Sequence, residues 1–320
     1  MAISQPPLPA VPDYPCKCPF EDAIEAAHER FVRELNSHED GWQEVGDKDG
    51  VRLSKKWDEQ DKNPLPLCKG ETFVEDVTPE AFLAGVIQLP GMRSLWDPRT
   101  EVGYMMERYE RNTVLFYALT KGKKFIARPR DLVGIQRNYA DADGSRMIIQ
   151  TSVDSTAVPE QSGTTRATLK LSGWWFKPEG SGIRVVYILD VALNGSIPKA
   201  IVSMATSESP LCAGRAREIY YKHGHAPYVH SDSPTEPSII FQLESITAPP
   251  QRDYHCTITT GSQVGEAFEI LYDRKRMYPD GVQVSIEGDG GVDVQDDGQG
   301  VVRVTTTESG KTTTVAISPK

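Results

Sequence analysis

The chain has 320 residues, of which 38% are hydrophobic, and its formal net charge at pH 7 is −10. This is enough apolar material for one sizeable core and a smaller unit. The acidic balance argues against a nucleic-acid partner, because proteins that bind phosphate backbones usually present a basic surface. The five scattered cysteines do not suggest a secreted disulfide framework.

The N-terminal segment gives an expectation about location. Residues 1–19 are rich in proline and are predicted to form a flexible extension. This segment has neither the basic leader nor the apolar run of a signal peptide. No stretch of the chain approaches the ~20 apolar residues of a membrane span. We therefore expect a cytoplasmic protein. Cys16 and Cys18 resemble half of a metal site, but no second pair stands at a ligand spacing, so we expect no metal and no cofactor.

Hydrophobic periodicity predicts a helix followed by an antiparallel meander. Phe20, Ile24 and Phe31 recur at helical spacing, which predicts a helix over 19–36. A second helix is predicted to begin at Thr78, because Pro79 suits a first helical position. Alternation and turn residues predict strands at 42–45, 51–57, 67–74, 100–108, 113–119, 131–140, 147–153, 166–176 and 183–193.

The last of these strands leads into a long helix. The strand is expected to be half-buried, because apolar residues such as Val185 alternate with polar ones such as Arg184. A tight Asn194-Gly195 turn follows, and a helix is predicted over 198–221. Pro210 interrupts that helix and leaves the carbonyl of Thr206 without its usual donor. The proline predicts either a fixed kink or a hinge.

Several short motifs in this order resemble a known family. They are Trp96-Asp97, Arg130-Asp131-Leu132-Val133, Gly173-Trp174, Gly195-Ser196-Ile197-Pro198 and the helix that carries Pro210. Together they resemble the START (steroidogenic-acute-regulatory-related lipid transfer) domain over residues 20–228. The resemblance implies an α+β helix-grip fold, in which a curved antiparallel sheet wraps around a long C-terminal helix. It also implies a lipid in the tunnel between them.

The resemblance points to candidate ligand-binding residues. Arg93 stands three residues before Trp96, where family members that bind phosphatidylcholine place an arginine for the lipid phosphate; the alternative is an ordinary surface arginine. In an ungapped alignment, Tyr117 and Gln136 occupy the positions of the buried acid and arginine of sterol-handling members. Both side chains can form hydrogen bonds and neither is charged. The remaining candidate ligand-binding residues are Tyr104, Trp174 and Met204.

Two departures from the family pattern leave the ligand open. The positions of the aromatic residues that cage a choline head group hold Leu119 and Leu132 here, so these positions offer no cation–π cage. The acid usually found two residues before the Asn-Gly turn is replaced by Ala192. The predicted pocket is therefore mainly apolar. Its ligand is a phospholipid, a sterol or another hydrophobic molecule.

A basic loop predicts contact with membranes. Lys121, Lys123 and Lys124 precede the apolar Phe125 and Ile126, in a stretch that corresponds to a gate over the family's lipid tunnel. A basic loop with an apolar tip suits docking on an anionic bilayer, where each basic residue contributes about 1 kcal/mol. The alternative is an ordinary solvated loop. If this loop docks on membranes, we expect a cytoplasmic protein that associates peripherally and transiently with membrane surfaces.

The C-terminal part has a different composition. Residues 229–252 are predicted to be a linker, and residues 253–320 a small β-rich domain with strands at 254–260, 267–273, 282–287, 301–307 and 312–318. This domain is expected either to bind a protein partner or to cover part of the START-like domain.

The sequence as a whole predicts a protein that binds a lipid and transfers it between membranes. Two alternatives use the same cavity. One is a START-related enzyme of the thioesterase or cyclase type, and the other is a lipid-sensing interaction module. The chain contains neither His-Glu-x-x-His nor Gly-x-Ser-x-Gly, and we expect it not to be an enzyme.

Overall fold

The computed structural model describes residues 17–37, 41–57, 65–122, 128–156, 158–195, 202, 206–230 and 238–320. The chain divides into two compact units. The first combines the chain up to Pro79 with Asp97–Arg217, and the second combines Glu80–Trp96 with Glu218–Lys320.

The first unit is built on a ten-stranded sheet in the order β1-β2-β3-β10-β9-β7-β6-β5-β4, with β8 added in parallel beside β6. All other neighbours are antiparallel, as the predicted meander requires. The strands are β1 (Gln43–Lys48), β2 (Val51–Lys56), β3 (Leu67–Glu75), β4 (Thr100–Glu110), β5 (Thr113–Thr120), β6 (Arg130–Ala140), β7 (Arg146–Ser152), β8 (Thr165–Arg166), β9 (Thr168–Glu179) and β10 (Gly182–Ala192).

Helix α1 (Glu21–Asn36) covers one face of this sheet, which we call the α1 face. The ring of Phe31 packs directly on Gly173 of β9, because a Cβ placed on Gly173 would lie 2.1 Å from that ring. Val186 and Ile188 of β10 are buried in the same cluster. The expectation of a half-buried last strand was therefore wrong, because α1 covers the face of β10 opposite to Val185.

The terminal helix α4 (Cys212–His223) lies on the opposite face, which we call the helix face. A Cβ at Gly70 of β3 would be 2.3 Å from the carbonyl oxygen of Pro210. Farther along, Arg217 of α4 donates to Thr72 Oγ1 at 2.6 Å. Residues 206–208 are helical, residue 209 lies in a bend and residues 210–211 form a turn, so the helix is interrupted at Pro210.

The second unit contains helical segments and two four-stranded antiparallel sheets. Helix α2 (Pro79–Phe82) continues as a π-helical stretch (Leu83–Gln88), and α3 (Pro90–Trp96) follows. The sheets have the orders β11-β14-β17-β16 and β12-β13-β18-β15. Their strands are β11 (Tyr228–Val229), β12 (Ile240–Ile246), β13 (Tyr254–Thr259), β14 (Ala267–Leu271), β15 (Val282–Gly288), β16 (Val292–Asp296), β17 (Val301–Thr306) and β18 (Thr312–Pro319).

The two sheets of the second unit share one hydrophobic core. Ile258, Ile270 and Val315, from three of the strands, are fully buried in it together with Met92 of α3. Helix α3 also packs closely on β12, because a Cβ at Gly91 would meet the carbonyl oxygen of Ile246 at 2.0 Å. The second unit is therefore not built from the C-terminal strands alone.

The stretch predicted as a linker, 229–252, contains strand β12. Phe241 and Ile246 of this strand are 3% and 7% exposed, so the strand belongs to the core of the second unit. The interpretation of this stretch as a linker was wrong for these residues, because prolines and serines on both sides obscured a short apolar strand. Within the described residues, none of the helices is long and apolar enough to span a membrane.

Candidate ligand-binding site

Aromatic side chains line the helix face of the sheet. Trp174 of β9 is paired in register with Tyr187 of β10, and their rings stack with centroids 4.0 Å apart. Tyr187 is in turn paired with Gly70, the residue that meets Pro210. Directly paired residues point to the same face of an antiparallel sheet. The predicted site residue Trp174 therefore lies on the face that the terminal helix covers.

A chain of buried polar side chains crosses the same face. Ser172 Oγ donates to Gln150 Oε1 at 3.2 Å, and Gln150 Nε2 donates to Gln136 Oε1 at 2.7 Å. The residues are paired in register across β9, β7 and β6, and each is less than 9% exposed. Gln136 is 7% exposed, and besides this accepting oxygen its amide carries two N–H donors. The chain therefore ends in the neutral amide of a largely buried side chain.

Tyr117 and Gln136 do not share this face. Tyr117 of β5 is paired with Val133 of β6, and Gln136 of β6 is paired with Val114 of β5. Along β5, Val114 and Tyr117 are separated by an odd number of positions. Because side chains alternate along a strand, Tyr117 points to the α1 face and Gln136 to the helix face. The prediction that both residues approach one ligand must be corrected. An ungapped alignment takes no account of loop length, and a difference of one residue exchanges the two faces.

The hydroxyl of Tyr117 is buried on the α1 face. Tyr117 is 1% exposed, and its oxygen has no hydrogen-bond partner in the described part of the chain. The ring stacks with that of Tyr104, with centroids 6.4 Å apart, so this second predicted residue lies on the same face. Nearby, Arg166 binds both carboxylate oxygens of Asp131, at 3.1 and 3.0 Å. Burial and the charge of Asp131 raise the pKa of Tyr117 to about 12, so the phenol is neutral at physiological pH.

The predicted phosphate ligand Arg93 belongs to α3 in the second unit. Its guanidinium lies over the ring of Trp96, with the Cζ atom 5.6 Å from the ring centroid. Trp96 itself is buried and donates from Nε1 to the carbonyl of Val86 at 2.9 Å. A role of Arg93 in ligand binding stays a prediction.

A second arginine, Arg99, was not predicted from the sequence and forms several buried contacts. Its Nε donates to Asp97 Oδ1 at 2.8 Å, and its Nη atoms donate to Ser209 Oγ and, at 3.5 Å, to Cys212 Sγ. Burial alone lowers the pKa of this arginine, but Cys212 and Asp97 together raise it above its usual value. Arg99 therefore holds the beginning of α4 as a charged group. The available signal was the acid two residues before it, in Trp96-Asp97-Pro98-Arg99.

Other predicted residues lie outside the described part. These are Met204 and, in the basic loop, Lys123, Lys124, Phe125 and Ile126. Lys121 is described and exposed, and its Nζ donates to the carbonyl of Pro98 at 3.1 Å. Membrane docking by this loop stays a prediction. In the described ranges, no three His, Cys, Asp or Glu side chains come together as a metal site.

Comparison with known proteins agrees with this architecture. The START domain profile matches residues 22–222. Human StAR-related lipid transfer protein 5 is 20% identical, with a TM-score of 0.55 over 62% of this chain and 97% of that chain. Human STARD10 is 19% identical, with a TM-score of 0.55 over 67% of this chain and 84% of that chain.

The human StarD13 (DLC2) lipid transfer and protein localization domain is 23% identical, with a TM-score of 0.50 over 60% of this chain and 95% of that chain. No curated protein matches the chain significantly. At these identities the structural neighbours confirm the fold, which is the predicted helix-grip sheet with an additional C-terminal all-β region. Because the profile covers more than half of the sequence, the chain belongs to the START domain family.

Proposed function

We propose that the protein binds a lipid with a neutral polar group between the helix face of its sheet and the terminal helix, and that it transfers this lipid between membranes. The observation that carries the proposal is the buried polar chain that ends at Gln136 on an otherwise largely apolar face. Membership of the START family and the structural similarity to human lipid transfer proteins support it.

The chemistry of this face favours a hydrophobic ligand. Trp174 and Tyr187 offer stacked aromatic surface, and apolar area removed from water stabilises a complex by about 25 cal/mol per Å². Gln136 offers a neutral donor, which suits a hydroxyl, carbonyl or ester oxygen. A neutral donor binds such an oxygen without the desolvation cost of a buried charge. We therefore assign the polar end of the ligand to Gln136, and we do not assign it to Tyr117.

We further propose that the protein acts in the cytoplasm and contacts membranes transiently during transfer. The basic residues around Phe125 and Ile126 support this part of the proposal through their composition alone.

The first test is mass spectrometry of lipids extracted from the natively isolated full chain. We expect one lipid class in stoichiometric amount. Substitution Gln136→Leu should weaken binding of that lipid about tenfold, because a hydrogen bond to a buried group is lost. The matched control is Tyr117→Phe, which removes a hydroxyl from the opposite face of the same sheet and should leave affinity unchanged. Folded protein without any bound lipid, and without affinity for added lipids, would contradict the proposal.

A further inference from the structure

Two end strands of the second unit leave its core partly open. Strand β15 is the last strand of one sheet and β16 is the last strand of the other, and only residues 289–291 connect them. Ile286 of β15 is paired with the buried Val315, so its side chain points toward the core, yet it is 42% exposed. Val284 and Val294 pack against the same core and are only partly buried. We call the surface formed by Val284, Ile286 and Val294 the open edge.

The backbone of β15 is available for pairing with a further strand. In the described part of the chain, β15 pairs with β18 alone. Every second residue of an end strand directs its N–H and C=O groups away from its sheet. Within the described residues, no hydrogen bond joins 282–287 to an element other than β18. The open edge therefore combines exposed apolar side chains with the backbone groups that an added β-strand requires.

The charge beside the open edge is negative. Residues 282–300 contain five acids and no lysine, arginine or histidine. Glu287, Asp289 and Asp293 are exposed, and none of them forms an ion pair with a residue that the structure describes. The other two acids accept hydrogen bonds from neighbouring groups. Three carboxylates at this edge are therefore available to a positively charged partner.

Two basic side chains near the open edge are already paired with other acids. Arg303 lies on β17, the strand beside β16, and its Nη1 is 3.6 Å from Glu269 Oε1. Lys311 lies beside Gly291, and its Nζ is 3.4 Å from Glu308 Oε2. The charges of these two residues are therefore balanced by acids other than the three carboxylates.

The charge determines which kind of strand fits. A second copy of β15 would bring its own Glu287 and Asp289 to this edge, and like charges on neighbouring strands repel. The three carboxylates therefore disfavour pairing between copies of this chain, which is one use of charge on an end strand. A strand with alternating basic and apolar residues has the opposite charge. Its apolar side chains would face the open edge while its basic ones point to the other face, where Glu287 lies.

We propose that the open edge binds an extended, basic segment of a partner protein, which adds to β15 as a further strand. The apolar side chains of this segment cover Ile286, and its lysine or arginine side chains pair with Glu287, Asp289 and Asp293. Binding of this kind involves the second unit alone and does not depend on lipid in the first.

The test uses the full-length chain and fluorescein-labelled octapeptides. One peptide alternates lysine with valine, and a second alternates glutamate with valine. We expect fluorescence anisotropy to show saturable binding of the lysine peptide and no binding of the glutamate peptide. A third peptide is the lysine peptide with all internal backbone amides methylated. It keeps the charge but cannot donate backbone hydrogen bonds, so it should bind at least about tenfold more weakly.

Charge variants locate the binding site. The edge variant combines the substitutions Glu287→Gln, Asp289→Asn and Asp293→Asn. It should bind the lysine peptide about tenfold more weakly than wild type, and this difference should shrink as salt is added, because salt screens exposed charges. The matched control neutralises three exposed acids of the first unit through Glu29→Gln, Asp154→Asn and Glu160→Gln. Its affinity should stay within about twofold of wild type.

A second pair of variants tests the face of the strand. Ile286→Lys places a positive charge on the face that points toward the core, whereas Ser285→Lys places the same charge on the other face. Ile286→Lys should abolish binding of the lysine peptide, because it also removes the apolar contact. Ser285→Lys adds only the charge and should weaken binding about threefold.

Hydrogen exchange of the wild-type chain provides a readout that needs no variant. The lysine peptide should protect amides of β15 and leave those of β12, the opposite end strand of the same sheet, unchanged. Protection elsewhere without protection of β15 would overturn the proposal. So would a lack of binding by the lysine peptide, equal binding of the lysine and glutamate peptides, or equal affinities of the edge variant and its control. Undiminished binding of the methylated peptide, or equal effects of Ile286→Lys and Ser285→Lys, would overturn the addition of a strand.

Discussion

The thiol of Cys68 on β3 donates a hydrogen bond to the carbonyl oxygen of Thr206, 3.6 Å away. Pro210 lacks the N–H that would ordinarily satisfy this carbonyl in a continuous helix. The carbonyl of Pro66 lies 3.4 Å from the same sulfur. A buried thiol of the sheet thus compensates for the interruption in the terminal helix.

This arrangement predicts that Cys68 is unreactive in the folded protein. Burial, followed by the charge of Asp190, raises the pKa of the Cys68 thiol to about 12 from a reference value of 9.0. Three pH units correspond to about a thousandfold less thiolate at pH 8, and the thiolate is the reactive form. Alkylation by iodoacetamide, followed by peptide mass spectrometry, should show Cys68 modified orders of magnitude more slowly than in guanidinium. Comparable rates in the two conditions would contradict this.

A second prediction concerns the buried hydroxyl of Tyr117. Tyr117→Phe removes an oxygen that is buried without a hydrogen-bond partner in the described part of the chain. Because no bond is lost and a desolvated polar atom is removed, stability should be unchanged or rise by up to about 1 kcal/mol. Urea unfolding of both proteins measures the difference. A loss of more than about 1 kcal/mol would show that the hydroxyl has a partner in the native protein.

Much of the fold could be predicted from periodicity. Helix α1 and the strands of the large sheet follow from apolar spacing and turn residues, which act locally. The burial of Val186 and Ile188 could not be predicted in this way, because it depends on α1, which is distant in the sequence. Strand β12 was not predicted for a similar reason. Its apolar residues are buried by a partner sheet, and alternation along the strand does not reveal that burial.

The site was less predictable than the fold. Tyr117 and Gln136 were placed by the same ungapped alignment, and only Gln136 lies on the helix face. Tyr117 required an alignment across a loop, where an error of one residue reverses the face of a strand. Arg99 was missed because its importance comes from Ser209 and Cys212, more than a hundred residues away in the sequence.

A third prediction concerns acid stability. Arg137 of β6 binds both carboxylate oxygens of Glu21 at 2.7 Å and one of Glu25 at 2.8 Å, which attaches α1 to the sheet. The hydrogen bond from Arg137 lowers the pKa of Glu21 below its reference value of 4.5. A lowered folded-state pKa stabilises the protein above the unfolded-state pKa, and this stabilisation is lost as the pH falls through the folded-state value.

Stability should therefore decline as the pH falls below about 4.5, and Glu21→Gln should show a shallower decline that reflects this one group. Urea unfolding between pH 3 and pH 6 provides the measurement. The matched control is Glu29→Gln, a change on the same helix. An identical pH dependence in wild type and Glu21→Gln would show that the ion pair does not contribute to folding.

The last prediction decides between a kink and a hinge at Pro210. The chain is held on both sides of the proline, because Cys68 binds the carbonyl of Thr206 and Arg99 binds Ser209 and Cys212. The carbonyl of Pro210 itself approaches Gly70 so closely that a Cβ there would lie 2.3 Å away. These contacts favour a fixed kink.

Pro210→Ala should therefore load labelled lipid at a rate within about twofold of wild type, since the contacts and not the proline ring hold the backbone. Gly70→Ala should destabilise the protein by about 1–3 kcal/mol through overpacking at the same point. A large change in loading rate in Pro210→Ala, with unchanged stability, would instead support a hinge.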